Sequence, residues 1–262
     1  MRKTLPFVLV ALSAAAFGQG SEPLLTRNPT LSQTSIAFEF GTDIWTVPRE
    51  GGQARRLTAG PGAETLPQFS PDGKWVAFTG AYDGNTDVYI VSASGGSPRR
   101  LTYHPGVDNV QGWTPDGKSI LFTSGMDHPN GEQRMYTVPM EGGWPTALPL
   151  PRGWAGSYDK DGSHIAYIPH DLWQPGWKRY KGGQTTPIWI ARLSDSKVEK
   201  IPRQNSQDRH PMWMGDTIYF VSDRGGRSAL YSYNTGNKRV SNVVAPDGFD
   251  IVKCKTLQCA CI

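Results

Sequence analysis

One aromatic strand motif recurs five times along this 262-residue chain. It reads Ile44-Trp45-Thr46-Val47, Val88-Tyr89-Ile90-Val91, Met135-Tyr136-Thr137-Val138, Ile188-Trp189-Ile190-Ala191 and Leu230-Tyr231-Ser232-Tyr233. The aromatic residues are 44, 47, 53 and 42 positions apart. A repeat of that length holds one four-stranded sheet, too small to bury both of its faces. Such units must stack around an axis, which predicts a β-propeller.

Two further landmarks keep step with the first. Ser70-Pro71-Asp72-Gly73-Lys74, Thr114-Pro115-Asp116-Gly117-Lys118 and Asp159-Lys160-Asp161-Gly162-Ser163 are hairpin turns. Pro presets φ, Asp bonds its own backbone, and Gly takes φ > 0. The recurrence makes these aspartates structural rather than acid–base groups. Each turn leads into a short apolar strand: Trp75-Val76-Ala77-Phe78, Ser119-Ile120-Leu121-Phe122 and His164-Ile165-Ala166-Tyr167. Ser35–Phe38 and Thr217–Phe220 are the first and last of that series. Gly51-Gly52, Gly95-Gly96 and Gly142-Gly143 follow the aromatic strands.

The expected fold class is therefore all-β, with about five four-stranded blades of a six-bladed propeller over residues 24–251. A non-repetitive β-sandwich is the rival fold. Long amphipathic helical patterns are missing, which argues against α/β architectures. Five blades of a six-blade geometry leave two open faces, which predicts association or poor solubility of the chain.

The termini read differently from the repeat. Arg2-Lys3 precede an apolar run to Phe17, and Ala16-Phe17-Gly18 offers small residues before Gln19. Residues 1–18 are expected to be a secretory signal peptide, too short to span a membrane. No Cys lies near the junction, so no stable membrane anchor is expected, and the protein is expected to be periplasmic or secreted. All three cysteines, Cys254, Cys259 and Cys261, crowd into residues 252–262. Their spacing is not that of a zinc site and no His pairs with them, so neither metal nor cofactor is expected. Turn grammar also lapses there, which marks an irregular tail and a possible reading-frame slip near residue 252. The net charge of +4 is mild, and no basic cluster is interleaved with aromatics, so nucleic acid is not an expected partner.

Chemistry is sparse. His104, His128, His164, His170 and His210 are the histidines, and Ser94, Ser97, Ser124, Ser157 and Ser163 each adjoin a Gly. None of those serines lies in a Gly-x-Ser-x-Gly elbow, so no catalytic residue is assigned. The fourth unit carries an insert, Asp171–Gly183, that lengthens its step to 53. Its Trp173, Trp177, Lys178, Arg179 and Tyr180 are candidates for contact with a peptide, by stacking and cation–π pairing. The competing reading packs these aromatics on a neighbouring blade or domain. His210 is a sixth candidate, at the start of an innermost strand, where it would face a channel; a hydrogen-bonded structural His is the alternative.

Asp43–Gly52 and Phe69–Phe78 resemble the N-terminal propeller of tricorn-type serine proteases. So do Gly182-Gly183-Gln184-Thr185-Thr186-Pro187-Ile188-Trp189-Ile190 and Val221-Ser222-Asp223-Arg224. The resemblance runs from about residue 24 to 251. It implies a multidomain peptidase in which a six-bladed propeller leads and a second propeller follows. A PDZ-like module and the Ser and His of the catalytic region come later. No position here matches that region. Implied partners are peptide substrates, downstream peptidase and PDZ domains, and further copies of the chain. Two alternatives stay open: a non-enzymatic Tol-system-like periplasmic binding propeller, and the cap of a prolyl-oligopeptidase-type enzyme.

Overall fold

A computed structural model describes residues 25–128, 130–171, 179–244, 248 and 250–251. The expected signal peptide and the tail after residue 251 lie outside them.

Five antiparallel four-stranded sheets follow one another along the chain, each paired in chain order. Blade 1 holds β1 (Arg27–Leu31), β2 (Ser35–Phe40), β3 (Asp43–Pro48) and β4 (Arg55–Arg56). Blade 2 holds β5 (Glu64–Phe69), β6 (Trp75–Tyr82), β7 (Asn85–Ser92) and β8 (Arg99–Arg100). Blade 3 holds β9 (Asn109–Trp113), β10 (Ser119–Ser124), β11 (Arg134–Pro139) and β12 (Thr146–Ala147). Blade 4 holds β13 (Ala155–Tyr158), β14 (His164–Ile168), β15 (Trp189–Arg192) and β16 (Val198–Lys200). Blade 5 holds β17 (Asp208–Met214), β18 (Thr217–Ser222), β19 (Ala229–Asn234) and β20 (Val240–Val244). The first strands adjoin in the order β1, β5, β9, β13, β17, so they surround the axis and the fourth strands form the rim. This is the predicted propeller.

The turns behave as their residue types require. In the first, Asp72 Oδ1 accepts from Ser70 Oγ at 2.6 Å and from Lys74 N at 3.1 Å. Asp116 repeats this with Thr114 and Lys118 at 2.6 and 3.0 Å. The Ser70 and Thr114 hydroxyls hold the two aspartates below the usual carboxylate range, against a smaller opposing effect of burial. Gly73, Gly117 and Gly162 have φ of 71°, 69° and 76°, a region L side chains avoid.

The core is not one mass but four seams, one between each pair of successive blades. Seam 1–2 packs Ala37, Ile44 and Leu57 on Phe69, Val76, Phe78 and Tyr89. Seam 2–3 packs Ala77, Val88, Ile90 and Leu101 on Trp113, Ile120, Phe122 and Tyr136. Seams 3–4 and 4–5 repeat the scheme, the latter with Ile188 and Ile190 on Phe220, Tyr231 and Tyr233. In blades 2 to 5 the recurrent aromatic thus packs against the preceding blade. A fully buried side chain of this kind stabilises by about 1.5–3 kcal/mol. Blade 1 has no such neighbour among the described residues: Ile36, Phe38, Phe40, Trp45 and Val47 are all half-exposed on one face.

The rim is clasped through backbone carbonyls. Arg55 Nη2 donates to Ala93 O at 2.6 Å and Nη1 to Ser94 O at 3.2 Å, in the next blade's turn. Arg99 donates in the same way to Met140 O. Ser196 Oγ reaches back to Pro149 O at 2.7 Å.

Candidate functional site

The second-to-third-strand loops and the links between blades lie at one end of the propeller, and the fourth-unit insert is among them. That end is the candidate site.

The innermost strands enter from this end through a repeated bulge. Ladder register breaks across Asn28-Pro29, Leu66-Pro67 and His210-Pro211. A proline has no N–H for the ladder, and a bulge is where that lack costs least. The preceding residues Asn28, Leu66 and His210 have φ of 48°, 54° and 51°. His210 therefore occupies a position set by the repeat, on the strand that borders the axis, and it is half-buried.

Buried acids sit where the inner strands begin. Glu64, Asp108 and Asp208 each donate their N–H to a threonine carbonyl of the preceding blade, Thr42, Thr86 and Thr186, at 2.8, 2.9 and 2.9 Å. Glu64 accepts from the Thr58 and Tyr82 hydroxyls and, at 3.3 and 3.2 Å, from Ile44 N and Gly60 N. Asp208 accepts from Ser206 and Ser222 Oγ at 2.8 and 2.6 Å and from Arg224 Nη2 at 3.0 Å. Burial pushes the Asp208 carboxyl up, and Arg224 with the two hydroxyls opposes that. Arg224 also lies 4.9 Å over Phe220 and 5.3 Å over Tyr231. Asp87, in blade 2, pairs with Arg100 at 2.7 Å.

Of the fourth-unit insert, Asp171 and the residues from Arg179 onward are described. Trp173, Trp177 and Lys178 lie outside the described residues. Arg179 Nε donates to Gly226 O at 2.9 Å, and Lys181 Nζ contacts Asp223 Oδ1 at 3.1 Å and Asp223 O at 3.2 Å. The end of the insert is thereby strapped across to the β18–β19 loop of blade 5. Tyr180 is half-buried between these two cations in sequence. The structure brings Arg179 and Lys181 to the blade 5 loop, and places His210 on the inner strand β17.

One opening marks this end, and a second runs from it down a blade seam. A cavity of about 210 Å³ lies between blades 3 and 4, lined by Gln133, Arg152, Trp154, His170 and Asp171 among others. A shallower groove of about 570 Å³ between blades 4 and 5 is lined by Arg203, Arg224, Tyr231 and Lys238 among others. Its cations are already engaged: Arg203 with Thr185 and Ser206 O, Lys238 with Glu199 at 2.7 Å.

One cluster joins Ser, His and Asp at the opposite end, and its geometry is not that of a hydrolase. Ser163 Oγ and Asp159 Oδ2 both contact His164 Nδ1, at 2.8 and 3.0 Å. A triad needs the nucleophile on one ring nitrogen and the acid on the other. Here the three residues finish a hairpin turn.

The family model described as the tricorn protease N-terminal beta propeller domain matches residues 23–260. The chain belongs to that family. It is 31% identical over 235 residues to tricorn protease homolog 1 of Streptomyces coelicolor, covering 88% of this chain and 22% of that protein. It is 30% identical over 213 residues to the tricorn protease homolog of Saccharolobus solfataricus, covering 80% of this chain and 20% of that protein. The chain thus spans about a fifth of the length of the curated relatives it matches. A crystal structure of the tricorn protease superposes with a TM-score of 0.75 at 24% identity, over 87% of this chain and 23% of that one. A putative TolB from Agrobacterium tumefaciens gives 0.68 at 20% identity, over 84% of this chain and 81% of that one. At these identities the superpositions speak for the fold.

Proposed function

We propose that this chain is the N-terminal propeller part of an exported tricorn-like serine peptidase, guiding or filtering peptides and bracing the assembly. Membership of the tricorn propeller family carries this reading. Peptide hydrolysis belongs to a region that no residue of this chain matches. The loop end supports a guiding role: a half-buried Tyr180 is flanked in sequence by Arg179 and Lys181, and cavities open at the junctions of blade 4 with blades 3 and 5. A rigid scaffold with loops and aromatic–cation pairs at one end suits extended peptides better than compact ligands.

The test is an assay of the purified chain with fluorescent peptides of varied length. We expect saturable binding seen by anisotropy, and no cleavage. Cleavage by the chain alone would place catalysis within it and overturn the reading. Absence of binding at millimolar peptide would remove the guiding role. The TolB-like alternative rests on the 81% coverage of that structure. It predicts a stable complex with a folded envelope protein and indifference to short peptides.

A further inference from the structure

The seam acids can be compared position by position, because the repeat supplies the alignment. β6, β10 and β18 begin at Trp75, Ser119 and Thr217. Seven residues further on, the same place in each blade holds Tyr82, Met126 and Arg224. Tyr82 donates to Glu64, and Arg224 donates to Asp208. Met126 packs into the seam 2–3 cluster, and a thioether has no proton to give. Two residues before each acid stand Gly62, Gly106 and Ser206. Ser206 serves Asp208; Gly106 offers Asp108 no side chain.

Asp108 consequently differs from both relatives. It is fully buried, and neither carboxylate oxygen has a hydrogen-bond partner among the described residues. The hydroxyls of Ser124, the counterpart of Ser222, and of Thr102 stand close enough to favour the charged form, but neither reaches hydrogen-bond geometry with its oxygens; Ser124 Oγ instead accepts from Met126 N at 3.2 Å. Thr102 turns to Asp87 at 3.4 Å and to Val88 N at 2.9 Å. The charged or titratable groups around Asp108 are Asp87 on β7, itself paired with Arg100 on β8, and His104 on the β8–β9 link. The Nδ1 of His104 is also buried without a partner among the described residues. A bare carboxylate so placed costs several kcal/mol, and neutralising it is the usual escape.

We infer that seam 2–3 is a proton-binding site: Asp108 stays neutral in the folded protein, and the seam loosens when its proton is lost. Burial raises its affinity for a proton, Asp87 adds to this, and Ser124, Thr102 and His104 oppose it. The sign follows. An acid whose folded pKa lies above its unfolded value favours folding at low pH. That advantage fades as pH rises from about 4, the unfolded carboxylate value, through the folded pKa. The inference is independent of the peptidase reading, because it concerns the cohesion of two blades.

The test is hydrogen exchange of the cross-seam amides in the full chain. Asp108 N bonds Thr86 O, and Val110 N bonds Thr79 Oγ1 at 2.9 Å. In Asp108→Asn these amides are expected to exchange several-fold more slowly than in the wild type at pH 7. The gap should close toward pH 4. Met126→Arg should slow exchange at pH 7 when Asp108 is present, and not when it is combined with Asp108→Asn. Faster exchange in Asp108→Asn, or a gap constant with pH, overturns the inference. Loss of the gap in a His104→Gln background assigns the proton to His104 and also overturns it. If Met126→Arg does not fold, the pH profile of Asp108→Asn decides alone.

Discussion

At the residue scale, this fold depends on conformation as much as on packing. Gly73 shows it: its φ of 71° is one that a Cβ disfavours, and an added Cβ would stand 3.2 Å from Ser32 Cβ. Gly73→Ala is expected to cost about 1–2 kcal/mol, read as a lower denaturation midpoint with an unchanged m-value. Gly52→Ala tests conformation alone, since its Cβ would meet nothing within 4 Å at a φ of 118°. The Pro-Asp-Gly turns were legible because each residue's role is local. The seam acids were not, since a buried carboxylate is defined by what faces it from another blade. A faint signal existed: Thr58 precedes Glu64 by the same six positions as Thr102 precedes Asp108. Only the three-dimensional register turns that spacing into a shared place in the seams.

At the element scale, strands and their order followed from the repeat, because short β-branched and aromatic runs between breakers have little other use. Strand boundaries differ by one to four residues: β15 begins at Trp189 rather than Ile188, β7 begins three residues before Val88, and β6 runs four residues past Phe78. The bulges lie at three X-Pro pairs in matching places, but a lone X-Pro pair reads equally well as a turn, so the sequence does not announce them. The insert was legible as an addition but not as a strap. Its hold on blade 5 comes from Arg179 and Lys181, whose partners are Gly226 and Asp223, more than forty residues away. Arg179→Ala combined with Lys181→Ala should release the strap. Limited proteolysis should then cut within residues 171–183 several-fold faster, with the melting temperature nearly unchanged. An unaltered cleavage rate would show that other contacts hold the insert.

At the scale of the whole molecule, blade 1 presents the face that every other blade buries. The cross-strand pairs Phe38–Trp45 and Ile36–Val47 lie there, half-exposed, with Phe40 set edge-on to Trp45 at 5.8 Å. Apolar area of this kind drives association. The chain is expected to self-associate with rising concentration in sedimentation or light scattering. Phe38→Ser with Trp45→Ser should shift it toward monomer. A monodisperse wild-type monomer at high concentration would contradict this.

The rim clasps have a consequence for how such a molecule could have grown. Arg55 and Arg99 take hold of the following blade by its main-chain oxygens, which every sequence supplies. A blade copied within the gene would meet a neighbour that already offers the matching acceptors. No paired change in a second residue is needed before the new blade fits. Blade number is thereby free to change by duplication, while the seam acids diverge afterwards, one blade at a time.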